Sequence, residues 1–165
     1  MNNINFEEIR EEHLQAALDI YTHYVLITTA TFHAHALTID EMRQLVIFEN
    51  EKYRTFMIKQ DKSICGYVIM TQYKTREAYN STAEVTVYLK PEYIGKGIGS
   101  LALQYIEAYA RTKDIHALIA TICGENQKSI KLFERNGYVK CAHFHEIGKK
   151  FGQLLDIVQF EKLID

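Results

Sequence analysis

The sequence is poor in several features that define other classes of protein. It contains one proline, no tryptophan and only three cysteines among 165 residues. The cysteines, Cys65, Cys123 and Cys141, show no C-x-x-C spacing, which is typical of neither a disulfide framework nor a zinc knuckle. No apolar run approaches the ~18 residues of a membrane span, and residues 1–8 lack the basic and apolar regions of a signal peptide. We therefore expect a soluble, cytoplasmic protein with no membrane partner.

An excess of charge of one sign is also missing. The 19 Lys and Arg residues against 21 Asp and Glu residues give a formal net charge of -2. This balance argues against a broad surface for nucleic-acid phosphates. With 47% hydrophobic and 24% charged residues the composition is globular rather than disordered, and the length fits one domain over residues 1–165.

Hydrophobic periodicity predicts the order β, α, α, three strands, then α, β, α, β, β. The predicted helices are residues 11–25, a helix starting at Ile39 behind a Thr38–Glu41 capping box, 97–112, and 126–136 with Asn126 as cap and Gly137 at its end. The predicted strands are 4–6, 55–58, 64–71, 84–89, 117–122, 139–147 and 154–160, the last two flanking a turn at 148–152. This order indicates one α/β domain around a mixed sheet.

Glycine is scarce but concentrated at one place. Three of the eight glycines, Gly95, Gly97 and Gly99, lie within five residues between a predicted strand and a predicted helix. Glycines there let backbone N–H groups approach an anion at the helix N-terminus, although a tight turn without a ligand is an alternative. A P-loop fails because Gly97 follows Lys96 where Ser or Thr is needed. A dinucleotide site is a distant second, because G-x-G-x-x-A at 97–102 comes late in the chain without a ribose-binding acid.

Two longer segments carry a resemblance to a known family. Residues 87–100 resemble the acetyl-CoA pyrophosphate motif of GNAT acyltransferases, R/Q-x-x-G-x-G/A after a strand, with Ile94 at the first motif position. Residues 126–138 resemble the next motif of that family, with Phe133 where many members place a tyrosine that protonates the thiolate. Further segments resemble the phosphinothricin and methionine sulfoximine N-acetyltransferase branch: Thr29–Phe32, Arg76–Tyr79, Thr82–Tyr88 and Gly148–Asp156.

The resemblance implies a fold, a cofactor and an assembly. The implied GNAT fold has a central mixed, mostly antiparallel sheet, splayed between two parallel strands and flanked by about four helices. Acetyl-CoA is implied as co-substrate, and the chain is implied to form a homodimer. The implied cofactor-binding residues are Val87, Tyr88, Leu89, Gly95, Lys96, Gly97, Ile98, Gly99, Ser100, Asn126 and Ser129.

Acetyl transfer to an amine needs a positioned thioester, a deprotonated amine and a donor for the developing oxyanion. Glu84 is the predicted base, because it lies on the polar face of its strand and the resemblance places a carboxylate in the substrate site; a solvated strand glutamate is the alternative. By resemblance, the Leu89 N–H is the oxyanion donor. The predicted acceptor pocket contains Phe32, Arg76, Glu77, Ala78, Tyr79 and Lys150. Arg76 or Lys150 is expected to pair with a carboxylate or phosphinate, whereas ordinary packing is the alternative for the aromatic residues.

No metal is predicted. The pairs His33–His35 and His143–His145 would each place two imidazoles on one side of an extended chain. However, no third ligand-type residue lies at a spacing typical of a metal site. Cys123 is interpreted as a buried, inert thiol rather than the site of an acyl-enzyme. The acetyl group is therefore predicted to pass directly from acetyl-CoA to the amine in a ternary complex. The leading hypothesis is an N-acetyltransferase acting on a small amino-acid-like amine. The alternatives are acetylation of a protein or peptide amine, and a non-catalytic acyl-CoA or nucleotide-binding module.

Overall fold

The computed structural model describes residues 3–165, and its seven strands form one sheet. The strands are β1 (Ile4–Glu8), β2 (Arg54–Gln60), β3 (Ser63–Gln72), β4 (Thr82–Leu89), β5 (Ala117–Cys123), β6 (Val139–Lys150) and β7 (Gln153–Leu163). The helices are α1 (Leu14–Ile27), α2 (Ile39–Val46), α3 (Ile98–Arg111) and α4 (Gln127–Arg135). The sheet order is β1-β2-β3-β4-β5-β7-β6, and β4–β5 is its one parallel pair among these residues. The predicted mixed, mostly antiparallel sheet with four helices is confirmed.

Helices cover both faces of the sheet. Alternate residues of a strand point to opposite faces, so neighbouring residues of β3 belong to different cores. Tyr67 and Ile69 pack beneath α1 and α2, whereas Val68 and Met70 pack beneath α3 and α4. The longest α-helices have 14 residues, and none within residues 3–165 has the length and apolarity needed to cross a membrane.

The helix ends largely follow the predicted capping residues. Glu41 N–H donates to Thr38 Oγ1 at 3.2 Å where α2 begins. The second half of the capping box is wrong, because the Glu41 carboxylate accepts from the Thr38 hydroxyl and not from its backbone N–H. At the start of α4 the Ser129 N–H donates to Asn126 Oδ1 at 3.2 Å, and after its end Gly137 takes the left-handed conformation with φ 88°. An asparagine side chain therefore caps the start of α4, and a glycine with left-handed backbone ends it.

The last hairpin differs from its prediction. The turn predicted over residues 148–152 contains only Phe151 and Gly152, because β6 continues to Lys150 and β7 starts at Gln153. Both turn residues have positive φ, 54° and 73°. A two-residue turn of this kind matches the natural twist of antiparallel strands, so the ladder extends to the tip of the hairpin.

The parallel pair of strands is short. Pairing between β4 and β5 covers only Thr82–Glu84 against Ala117–Ile119. Beyond this point β4 stays paired with β3 as far as Leu89, and β5 stays paired with β7 as far as Cys123. The two strands therefore diverge after Glu84 and leave a gap between their carboxyl ends. The predicted splay is confirmed, and we call this opening the β4–β5 gap.

Candidate active site

The pattern of backbone hydrogen bonds shows which groups face the β4–β5 gap. Lys90 N–H donates to Cys65 O at 2.8 Å, which makes these two directly opposed residues a hydrogen-bonded pair. Such pairs alternate along antiparallel strands, so Tyr88 is the next β4 residue bonded to β3. Val87 and Leu89 therefore turn their N–H and C=O groups to the other edge of β4. That edge is the β4–β5 gap, where the N–H and C=O of Val87 and the N–H of Leu89 have no strand partner within residues 3–165, while Leu89 O accepts from the Tyr24 hydroxyl.

Gly66 on β3 allows the end of β4 to approach unusually closely. A Cβ at this position would lie 2.1 Å from Tyr88 O and 2.9 Å from Leu89 Cα. The β2–β3 register shifts between Ile58 and Lys59, directly beside this contact. Because backbone atoms cannot move aside as a side chain can, only glycine fits here. Sequence reasoning missed this residue, since the close approach arises from pairing between strands.

The glycine cluster forms the loop that leads into α3. Gly95 and Gly97 both have φ 81°, and a Cβ at either position would meet nothing within 4 Å. Conformation rather than space therefore requires these glycines. Gly97 is the N-cap residue of α3, so the free N–H groups of the first helical turn point toward the loop. The backbone arrangement that an anion cradle requires, free N–H groups at a glycine-rich helix start, is thus present, and anion binding there stays a prediction.

Side chains around the cradle have defined positions. Ile94 is exposed, and Lys96 Nζ lies 5.6 Å from the centre of the Tyr93 ring. A cation is therefore held beside the loop even though the first motif position carries no charge. The hydroxyl of Ser100 accepts from Asn136 Nδ2 at 3.0 Å, which ties the start of α3 to the end of α4.

Glu84 lies where β4 and β5 stop pairing. Thr121 Oγ1 donates to Glu84 Oε2 at 3.2 Å, and Gln159 Nε2 donates to Thr121 Oγ1 at 3.1 Å. These three side chains form a polar line from β4 through β5 to β7, on the face covered by α1. Burial raises the pKa of Glu84, and the hydrogen bond from Thr121 partly opposes this effect. A carboxylate with a raised pKa at the closed end of a gap is suited to accept a proton.

Residues 28–38 connect α1 to α2, and we call them the α1–α2 loop. Lys150 is buried, and its ammonium donates to Thr31 O at 2.7 Å and to Tyr24 O at 3.5 Å. Burial lowers the pKa of Lys150. Thr29 Oγ1 donates to Glu125 Oε1 at 2.5 Å, and the Tyr24 hydroxyl donates to Leu89 O. The loop and the end of α1 are therefore tied to both sides of the gap, and Lys150 bonds backbone carbonyls where a substrate carboxylate was expected.

Phe32, predicted in the acceptor pocket, is a partly exposed residue of the α1–α2 loop. Its ring packs on Gly148 of β6, where a Cβ would lie 2.2 Å from Phe32 Cε2. The absence of a side chain at Gly148 therefore makes room for the ring. This contact and the hydrogen bond from Lys150 to Thr31 O place Phe32 and Lys150 on one part of the molecule, and their role in acceptor binding stays a prediction.

The segment Arg76–Tyr79 lies elsewhere. It precedes β4, whereas the β4–β5 gap opens at the other end of that strand. Arg76, Glu77 and Ala78 are exposed, and Tyr79 packs edge-on against Tyr73 with ring centres 5.8 Å apart. No hydrogen bond or aromatic contact within residues 3–165 joins this segment to Phe32 or Lys150. Within residues 3–165, hydrogen bonds and packing contacts thus connect Phe32 and Lys150, through Gly148 and Thr31, but do not extend to Arg76–Tyr79.

Comparison with known proteins identifies the family to which this fold belongs. The sequence profile described as the acetyltransferase (GNAT) family matches residues 11–138. The chain belongs to the GNAT family. A phosphinothricin N-acetyltransferase from Streptomyces coelicolor is 31% identical, covering 92% of this chain and 91% of the relative. An L-methionine sulfoximine/L-methionine sulfone acetyltransferase from Salmonella typhimurium is 28% identical, covering 91% of this chain and 88% of the relative.

A solved GNAT structure shows the same fold. The structure of yncA from Salmonella typhimurium with its cofactor acetyl-CoA is 26% identical to this chain. It has a TM-score of 0.87, with 99% of this chain and 95% of that chain covered. Together with the named N-acetyltransferases, this likeness identifies the chain as an acyltransferase.

Several residues that shape this GNAT site were not found from the sequence. Tyr24, Thr121 and Gln159 reach the gap only through contacts between elements distant in the chain. Phe133, at the position of a tyrosine in many relatives, is buried and packs edge-on against Tyr138 with ring centres 4.9 Å apart. The side chain at this motif position therefore carries no hydroxyl that could protonate a thiolate.

Proposed function

We propose that this chain transfers the acetyl group of acetyl-CoA to the amine of a small amino-acid-like acceptor by direct attack in a ternary complex. The β4–β5 gap is the single observation that carries the proposal. On one edge of the gap the backbone groups of Val87 and the N–H of Leu89 are left without a strand partner, and Glu84 lies at its closed end. The pantetheine amides pair with the free edge of β4, and the cofactor's phosphates lie on the N–H groups around Gly97.

The acceptor amine is activated at Glu84. An α-amine has a pKa of about 7.7–8.0, so a carboxylate with a raised pKa removes its proton, directly or through one water. The amine nitrogen attacks the thioester carbon, and the oxyanion that forms accepts from the Leu89 N–H. The carbon–sulfur bond then breaks, and the electron pair leaves with sulfur.

The leaving group accounts for the missing tyrosine at position 133. A thiol has a pKa of about 8.5, so the CoA thiolate leaves at neutral pH with little help from a general acid. The attacking nitrogen loses a second proton as the amide forms; the CoA thiolate takes up this proton, and the proton held by Glu84 returns to solvent. Phe133 therefore does not prevent turnover in this scheme, and the end products are the N-acetyl acceptor and CoA.

Phosphinothricin and methionine sulfoximine are the proposed acceptors, supported by the names of the similar proteins. Phe32 forms an apolar wall of the acceptor pocket, and Lys150 positions that wall by holding the α1–α2 loop. A part in acceptor binding for Arg76, Glu77, Ala78 and Tyr79 stays a prediction. The homodimer, the cytoplasmic location, the single domain, acetyl transfer without a metal and the absence of nucleic-acid and membrane partners also stay predictions.

A panel of acceptors tests the proposed function. The enzyme is incubated with acetyl-CoA and with phosphinothricin, methionine sulfoximine, the common amino acids or a peptide with a free N-terminus, and CoA thiol release is followed. We expect the highest kcat/KM with one of the small free amino acids. A preference for the peptide would favour the protein-acetyltransferase alternative. Tight binding of acetyl-CoA with no acetylated amine would favour a non-catalytic module.

The pH dependence of kcat follows from the environment of Glu84. Because burial raises the pKa of Glu84, its basic form is lost at a higher pH than for an exposed glutamate. We expect kcat to fall on the acid side through this raised pKa. Thr121→Val removes the hydrogen bond that lowers the pKa, so the acid inflection should move to higher pH. An inflection unchanged in Thr121→Val would argue against Glu84 as the titrating group.

Cys123 tests whether the acetyl group passes through the protein. Its thiol is buried at the end of β5, and direct transfer gives it no chemical role. We expect Cys123→Ala to keep kcat within about threefold of the wild type, since a buried cysteine acts as a small apolar residue. Loss of turnover with intact acetyl-CoA binding would instead indicate an acetyl-cysteine intermediate.

A further inference from the structure

The β6–β7 hairpin brings together three metal-ligating side chains away from Glu84. His143 and His145 lie on β6, and Asp156 on β7 faces them. One ligand atom from each residue lies within 4.8 Å of the other two. The sequence shows the two histidines but not the carboxylate, because the pairing of the strands brings Asp156 beside them. We propose that His143, His145 and Asp156 form a binding site for a divalent transition-metal ion of the zinc type.

The geometry of the cluster suits one small ion. His143 Nε2 lies 2.8 Å from Asp156 Oδ2, and His145 Nδ1 lies 3.5 Å from the same oxygen. The two imidazole rings stack with centres 4.2 Å apart. Ligands about 2.0–2.1 Å from a tetrahedral zinc ion lie about 3.3 Å from one another. Small side-chain adjustments therefore bring all three ligand atoms onto one ion. The ion then replaces the hydrogen bond between His143 Nε2 and Asp156 Oδ2.

The backbone holds the carboxylate in place for this role. Glu146 N–H donates to Asp156 Oδ1 at 2.8 Å, which leaves Oδ2 directed at the two imidazoles. The β6 register is interrupted between Phe144 and Gly148, and Glu146 there has φ 52°. This irregularity in β6 supplies the N–H that orients the ligand. Hydrogen bonds of this kind to a ligating carboxylate are typical of metal sites.

The donor set defines the class of metal. Two imidazoles and one carboxylate suit zinc, cobalt, nickel or copper, whereas magnesium and calcium prefer oxygen ligands alone. Three protein ligands at the surface leave a fourth position for water. Lys140 Nζ lies 3.3 Å from His143 Nδ1, and this exposed side chain is free to turn away when a cation binds.

The site is linked to the turn that follows β5. Gly124 N–H donates to Asp156 O at 2.8 Å, and Asn126, the N-cap residue of α4, lies two residues further along the chain. A bound ion would cross-link β6 to Asp156 of β7, the residue whose backbone carbonyl already holds the segment that leads into α4. The expected consequence is a more stable folded state in the presence of the metal, because the ion binds the folded form preferentially.

Metal titration of the untagged, chelator-treated protein tests the site. We expect one equivalent of Zn²⁺ to bind by calorimetry, and Co²⁺ to give the visible absorption of a four-coordinate complex. His145→Ala and Asp156→Asn should each weaken Zn²⁺ binding about tenfold or more. Zn²⁺ should also raise the thermal unfolding midpoint of the wild type but not that of His145→Ala, which removes an exposed side chain and should cost little stability by itself.

Two matched variants control for binding elsewhere. His35→Ala removes an exposed histidine of the other H-x-H pair, and Glu12→Gln alters the second cluster of ligand-type residues, Glu7, Glu12 and His13. Both should bind Zn²⁺ like the wild type. The proposal is overturned if the wild type shows no saturable Zn²⁺ binding, or if His145→Ala and Asp156→Asn bind as tightly as the wild type.

Discussion

Glu84→Gln is expected to lower kcat by about 10²–10⁴-fold, the usual contribution of a general base, while the Kd for acetyl-CoA stays unchanged. The glutamine keeps the size of the side chain and its ability to accept from Thr121, but it cannot accept a proton at neutral pH. Because burial raises the pKa of Glu84, the ionised carboxylate is destabilised in the folded state above that pKa. The variant should therefore be at least as stable as the wild type near neutral pH. Steady-state kinetics, calorimetry with acetyl-CoA and denaturant unfolding measure the three quantities.

A second glutamate provides the control for this prediction. Glu161 lies on β7, where it pairs in register with Ile119 of β5, but its side chain is exposed. Glu161→Gln makes the same chemical change without touching the β4–β5 gap, and kcat should stay within about twofold of the wild type. Equal turnover by Glu84→Gln and Glu161→Gln would remove Glu84 from the mechanism.

Gly66→Ala is expected to damage both folding and cofactor binding. The added methyl group would lie 2.1 Å from Tyr88 O and 2.9 Å from Leu89 Cα, so the end of β4 must move. Forcing an extra group into a packed position costs about 1–3 kcal/mol of unfolding free energy. Because the displaced strand carries the Leu89 N–H, the Kd for acetyl-CoA should rise about tenfold or more, which corresponds to about 1.4 kcal/mol.

The glycine of the last hairpin provides the matched control. Gly152 has φ 73°, and a Cβ there would meet nothing within 4 Å. Gly152→Asn keeps access to the left-handed conformation, so it should change the unfolding free energy by less than about 1 kcal/mol and leave acetyl-CoA binding intact. Normal cofactor binding by Gly66→Ala would contradict the view that this close approach shapes the β4–β5 gap.

Much of the fold follows from local sequence signals. Alternation in residues 84–89 predicts which side of β4 carries Glu84, and the polar line to Thr121 agrees with that orientation. The caps at Thr38 and Asn126 mark where α2 and α4 begin. These features depend on residues a few positions apart, which a single sequence displays directly.

Features that depend on register between strands could not be predicted in this way. The need for glycine at position 66 arises from its approach to β4, and the third metal-ligating residue, Asp156, becomes visible only when β7 pairs with β6. The resemblance of residues 148–156 to the phosphinothricin and methionine sulfoximine branch predicts Lys150 in the acceptor pocket, paired with a substrate carboxylate or phosphinate. Extension of β6 to that residue buries its ammonium under the α1–α2 loop instead. Nonlocal pairing decided each of these positions.

Quenched single-turnover mass spectrometry tests the central claim most directly, with enzyme in excess over acetyl-CoA and methionine sulfoximine or phosphinothricin as acceptor. Both the intact protein and the small-molecule products are measured at each time point. Direct transfer through the β4–β5 gap predicts that N-acetyl acceptor and free CoA appear together in equal amounts, with no acetylated protein at any time. Acetyl-CoA that binds and stays intact with both acceptors, or an acetylated protein that forms before product, would contradict the account.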